Sequence, residues 1–118
     1  MLQILHNPRC KKSRNCLAFF DEKNISFQII NYLDNPLSEE YLKELVKKLN
    51  IKPIDLVRQK ETIWKENYKN KSLTDQQIIN TLIKHPILIE RPIVIKGDEA
   101  IIGREIEKYW LEYRVFER

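Results

Sequence analysis

The sequence predicts an α/β domain with a mixed sheet, and three observations carry that reading. A short apolar strand leads directly into an amphipathic helix and a second strand, the middle of the chain is helical, and two β-rich runs precede a last amphipathic stretch. Met1 to His6 is apolar and ends before Pro8, which makes it a buried strand running into a turn. Cys16, Leu17, Phe19 and Phe20 form the apolar stripe of a helix over Lys11 to Lys23, and Phe27 to Ile30 is a second strand ahead of the Asp34-Asn35-Pro36 turn. One helix in so short a connection makes these strands parallel neighbours with a right-handed crossover.

Ser38 is a suitable N-cap, with Glu39 and Glu40 in the first turn and Tyr41, Leu42, Leu45, Val46 and Leu49 on one face; that helix stops before Pro53. A shorter helix is expected over Pro53 to Val57, and Thr74 to Gln77 forms a capping box ahead of Ile78, Ile79, Leu82 and Ile83. Trp64 and Tyr68, in the polar stretch between, are expected to pack on the helical layer without a chemical role. Pro92 to Ile95 and Ala100 to Ile102 flank Lys96-Gly97-Asp98-Glu99, a hairpin signal. From Glu105, Ile106, Tyr109, Trp110 and Tyr113 recur at helical spacing. The order β-α-β, helices, β-β-α describes a thioredoxin-like sheet with a helical insertion around residues 38–85 of one 118-residue domain.

Hydrophobic residues make up 42% of the chain and charged residues 32%, with no apolar run long enough to cross a membrane and no secretory signal, so a cytoplasmic protein is expected. Two cysteines agree with a reducing compartment, where a cysteine is more often catalytic than structural. The net charge of +4 raises the question of nucleic acid, but the basic residues alternate with acidic ones, as in Lys43-Glu44 and Lys47-Lys48 after Glu39-Glu40, and form a solvated face. No membrane or nucleic-acid partner is expected. No metal-ligand spacing is present in the sequence.

Chemistry concentrates in Asn7-Pro8-Arg9-Cys10-Lys11-Lys12-Ser13-Arg14, where the first strand ends and the first helix begins. A helix N-terminus and nearby cations lower a thiol's pKa, and the same field holds an anion beside the sulfur. Cys10 is the candidate nucleophile, Arg9, Lys11, Lys12 and Arg14 the cations around it, and Asn7 a residue that can bond the loop backbone. Ser13 either hydrogen-bonds near the sulfur or caps the helix. His6 either orients the cysteine loop and tunes its thiol or is an ordinary strand-end histidine. Cys16 lies on the apolar stripe at a separation ill suited to a disulfide with Cys10, and reads as core. His85, at a helix end, reads as structural. Arg58, Arg91 and Arg104 lie just outside expected elements; their planar forks suit an oxyanion and together suggest an anion pocket.

Asn7-Pro8-Arg9-Cys10 with Ser13-Arg14, Tyr32-Leu33 with Pro36, His85-Pro86 with Leu88-Ile89 and Arg91-Pro92-Ile93-Val94, and Gly103-Arg104 span nearly the whole chain in order. In these the sequence resembles the thioredoxin-fold arsenate reductases that depend on glutathione and glutaredoxin, the ArsC family. The resemblance implies that Cys10 attacks arsenate, that Arg58, Arg91 and Arg104 hold its oxygens, and that Arg91-Pro92 is a cis peptide bond. Ser13 stands where many thiol enzymes carry a second cysteine, so the resemblance also implies that glutathione, as co-substrate, and then glutaredoxin supply the reducing equivalents. No bound cofactor and a monomer are expected. Glu105 departs from longer members, which carry proline there. Two alternatives remain: a regulator of the same fold like the Spx proteins, which bind the RNA polymerase α subunit and typically use a C-x-x-C switch, and a general glutathione-dependent thiol oxidoreductase.

Overall fold

The computed structural model describes residues 2–108. The chain divides into two compact units, one built from the first 31 residues together with the chain from Arg91 onward, the other from Tyr32–Glu90.

The first unit holds one four-stranded sheet. Its strands are β1 (Leu2–Leu5), β2 (Phe27–Ile30), β3 (Ile93–Lys96) and β4 (Glu99–Ile102), in spatial order β2-β1-β3-β4. The helix α1 (Lys11–Glu22) joins β1 to β2, which pair in parallel with Ile4 opposite Ile29; β1 and β3 run antiparallel with Ile4 opposite Val94, as do β3 and β4. Gly97, at φ +59°, supplies the left-handed backbone that the tight β3–β4 turn requires. On one face of the sheet Leu2, Ile4 and Val94 meet Cys16 and Phe20 of α1, with Ile106 completing the cluster. Ser13, Cys16 and Phe20 are the buried residues of α1, at the i, i+3, i+7 spacing of a single helical face.

The second unit is helical, with α2 (Glu39–Leu49), α3 (Thr62–Asn67) and α4 (Asp75–Lys84), and 3-10 turns at Pro53–Leu56 and Pro86–Leu88. α4 packs against α2 and both turns. The expected caps form: Ser38 Oγ accepts the Tyr41 N–H at 3.0 Å, while Thr74 Oγ1 accepts from Gln77 N–H at 3.2 Å and Gln77 Oε1 from Thr74 N–H at 2.8 Å. Asn50 ends α2 in the left-handed conformation.

Differences from the sequence reading are confined to short elements and ends. The polar stretch around Trp64 forms the one-and-a-half-turn helix α3, because burying Trp64 and stacking it on Tyr68 at 5.5 Å between centroids supplies what its weak periodicity does not. β3 and β4 each include one polar residue, Lys96 and Glu99, paired across the hairpin end. Residues 106–108 begin a helical turn; the expected closing helix through Tyr109, Trp110 and Tyr113 lies outside the described residues.

Truncating Phe20 removes the ring that joins α1 to the sheet. Phe20→Ala is expected to lower unfolding free energy by about 3–5 kcal/mol. Ile29→Thr, on the exposed side of the edge strand β2 at 49% exposure, is expected to change it by no more than about 0.5 kcal/mol. Urea denaturation of both variants checks the pair.

Candidate active site

Cys10 occupies the N-cap of α1 in extended backbone, φ −94° and ψ 122°, and its side chain makes no cap bond. Its carbonyl accepts the Arg14 N–H at 3.0 Å, and its own N–H donates to the Asn7 carbonyl at 3.0 Å. An N-cap is ordinarily a residue whose side-chain oxygen takes a first-turn N–H. With cysteine there, those donors are left to a thiolate.

The turn before it is cross-linked by buried polar side chains. Ser13 Oγ accepts the Asn7 N–H at 3.0 Å and lies 2.7 Å from His6 Nδ1, while Asn7 Oδ1 accepts the Arg9 N–H at 2.9 Å. His6, Asn7 and Ser13 are all buried. The His6 N–H donates to the Ile30 carbonyl at 3.2 Å, which ties the start of the turn to the end of β2. Burial, and then the charge of Arg14, hold His6 below its ordinary pKa of 6.5, so the ring is neutral at neutral pH. The Ser13 hydroxyl still has a hydrogen to give, and we assign the tautomer in which it donates to an unprotonated Nδ1.

Burial would raise the Cys10 thiol. The Ser13 backbone N–H, the Arg91 side chain and the Lys12 backbone N–H outweigh it, with the Arg91 charge adding to the effect, and the thiol falls below its ordinary value of 9.0. Arg91 is itself buried, and the Arg91-Pro92 peptide bond is cis, as the family resemblance implies. Pro92, also buried, accepts the Gly103 N–H on its carbonyl at 2.8 Å.

Of the four flanking cations, two have side chains with partners of their own. Arg14 Nη1 donates to the Pro8 carbonyl at 2.8 Å, and Lys12 Nζ lies 3.3 Å from Glu105 Oε1, so both are engaged elsewhere. Arg9 and Lys11 are exposed. The Cys10 thiol is lowered by backbone N–H groups and by Arg91, whose buried guanidinium, just ahead of β3, is screened far less than a solvated lysine.

Arg104 is exposed on the segment after β4. Arg58 belongs to the helical unit, where its N–H donates to the Leu88 carbonyl at 2.7 Å and its Nη1 lies 3.5 Å from Glu61 Oε1. His85, in that unit, meets Tyr68 edge-on at 6.0 Å, a packing role. Cys16 is fully buried, and burial followed by the charge of Glu107 pushes its thiol up to about 12.

Sequence reasoning gave no role to Glu105 or Gly103. Nothing local signals the Glu105 pairing, whose partner lies 93 residues away. A Cβ on Gly103 would sit 3.1 Å from Val94 Cγ2 and 3.5 Å from Cys16 Sγ, a tight fit that Val94 would have to relieve by a small shift.

The contrast between the two thiols is open to a direct check. Native protein is expected to be alkylated by iodoacetamide at Cys10 and spared at Cys16, with the Cys10 midpoint below that of a free thiol and shifted upward in Arg91→Ala, measured as rate against pH with peptide mapping. Neutral His6 contributes stability that is complete above its unfolded value of 6.5 and is lost as pH falls through its lower folded value. Ser13→Ala is expected to cost about 1–3 kcal/mol at pH 7.5, because it orphans the buried Asn7 N–H, and less at pH 5, by urea denaturation.

Comparison with known proteins shows the family. The model of the ArsC family matches residues 5–110. Arsenate reductase of Haemophilus influenzae is 41% identical over 106 residues, covering 88% of this chain and 91% of that protein. Arsenate reductase of Neisseria meningitidis serogroup A is 35% identical over 108 residues, covering 90% and 92%. The solved structure of arsenate reductase from Vibrio cholerae aligns with a TM-score of 0.85 at 38% identity, covering 93% of this chain and 95% of that one. With its thioredoxin-like mixed sheet and its cysteine at the first turn of α1, the chain belongs to the ArsC family.

Proposed function

We propose that this protein reduces arsenate to arsenite through an adduct on Cys10. The observation that carries the reading is the Arg91 guanidinium acting on the Cys10 thiol, at a helix start whose N–H groups favour the anion. The names of the relatives point the same way.

The Cys10 thiolate attacks arsenic, a sulfur–arsenic bond forms, and one arsenic–oxygen bond breaks with the oxygen leaving as water after protonation. Arg91 and Arg104 neutralise charge on the remaining oxygens. The family resemblance gives Arg58 the same role. The buried Ser13 hydroxyl, held between His6 and the Asn7 N–H, stands at the position of a second cysteine, so the second thiol comes from solution. A glutathione thiol displaces a second arsenic-bound oxygen, which leaves as water; the glutaredoxin thiolate attacks that glutathione sulfur, the sulfur–arsenic bond breaks with its electron pair passing to arsenic, and water releases arsenite from Cys10. A second glutathione reduces the glutaredoxin mixed disulfide, so arsenate and two glutathione thiols give arsenite, one glutathione disulfide and, in net, one water. Both electrons come from thiols, so the reaction needs no resident cofactor. A reducing cytoplasm is the compartment that supplies them.

NADPH oxidation in a coupled assay with arsenate, glutathione, glutaredoxin and glutathione reductase tests the reading. Wild type is expected to turn over, Cys10→Ser to lose all activity, and Arg91→Ala to lose roughly 10²–10³-fold in kcat, the scale of a removed oxyanion donor. Arg58→Ala and Arg104→Ala are expected to raise KM for arsenate. No turnover by folded wild type would overturn the reading.

A further inference from the structure

We propose that Glu105 is a positioning residue for the anion site: its ion pair with Lys12 fixes the Arg104 segment against the turn that carries Cys10. The proposal deepens the reading of that turn as an oxyanion site and rests on it.

Arg104 lies between two ties. Before it, the Gly103 N–H donates to the Pro92 carbonyl at 2.8 Å, beside Arg91. After it, Glu105 Oε1 lies 3.3 Å from Lys12 Nζ. Each tie ends next to a group that acts on the Cys10 thiol, because Arg91 adjoins Pro92 and Lys12 contributes its own N–H. Lys12 therefore has two functions: its backbone favours the thiolate and its side chain holds the segment that carries Arg104.

The backbone supports the same assignment. Glu105 has φ +58°, a left-handed conformation that residues other than glycine, asparagine and aspartate seldom adopt. No local preference of glutamate accounts for that turn, and it is the turn that carries the carboxylate to Lys12. Side-chain exposures of 39% for Lys12 and 44% for Glu105 make the pair a modest tether. An exposed arginine on an untethered segment would lose more conformational freedom on closing over an anion, so the tether lowers the cost of binding.

Protection of Cys10 from iodoacetamide by arsenate tests this without glutathione or glutaredoxin. Glu105→Gln and Lys12→Met are each expected to raise the half-protecting arsenate concentration about three- to fivefold, the upper range for an exposed ion pair. The charge swap Lys12→Glu with Glu105→Lys is expected to restore it to within about twofold. Adding Glu105→Gln to Arg104→Ala is expected to have no further effect, since the tether acts through Arg104. Glu105→Gly, which relaxes the backbone but removes the carboxylate, is expected to behave as Glu105→Gln. Unchanged protection in Glu105→Gln, a full effect of Glu105→Gln without Arg104, or wild-type protection in Glu105→Gly would overturn the proposal and leave the oxyanion reading standing. Absence of protection in wild type would overturn both.

Discussion

A thiolate partly withdrawn from water persists only where fixed donors face it, and the environment of Cys10 is organised by that constraint. Burial works against the anion; the N–H groups of Ser13 and Lys12 and the Arg91 guanidinium more than compensate. These donors are effective because they do not have to be gathered when the charge appears. The N–H groups are fixed by the first turn of α1, and Arg91 is buried at the entry to β3. Preorganisation of this kind makes a dipole count for more than a mobile surface cation.

The turn is held rigid by neutral groups rather than by charge. Ser13 closes a small network with His6 and the Asn7 N–H, and the His6 N–H continues it to β2. Keeping His6 neutral matters here, because a protonated imidazole could no longer accept at Nδ1 and would place a buried cation close to Arg14. The two cysteines show the same physics with opposite results: the thiol of Cys10 at a helix start is pulled below its ordinary value, whereas that of Cys16, six positions on and packed against the sheet, is pushed up.

Much of this was legible in the chain. The strand, Pro8 and amphipathic α1 place Cys10 at a helix start by local rules alone, and Ser38, Thr74 and Gly97 mark element ends through side-chain chemistry that acts over three or four residues. Trp64 shows where such rules stop. Its helix α3 is too short for periodicity to announce, and burial of the indole decides it.

The division between sequence and tertiary structure runs through the cations around Cys10. By itself the sequence determined that a cysteine would sit at a helix N-terminus among basic residues, because the apolar pattern and Pro8 act locally. Only the tertiary structure decided which cation matters. Pairing of β3 with β1 brings Arg91 to the sulfur, while Lys12 is drawn to Glu105, 93 residues away, and Arg14 to the Pro8 carbonyl. The charge of a side chain can be read from the chain, but its effect depends on distance and burial, and both are set by strand pairing between segments remote in sequence.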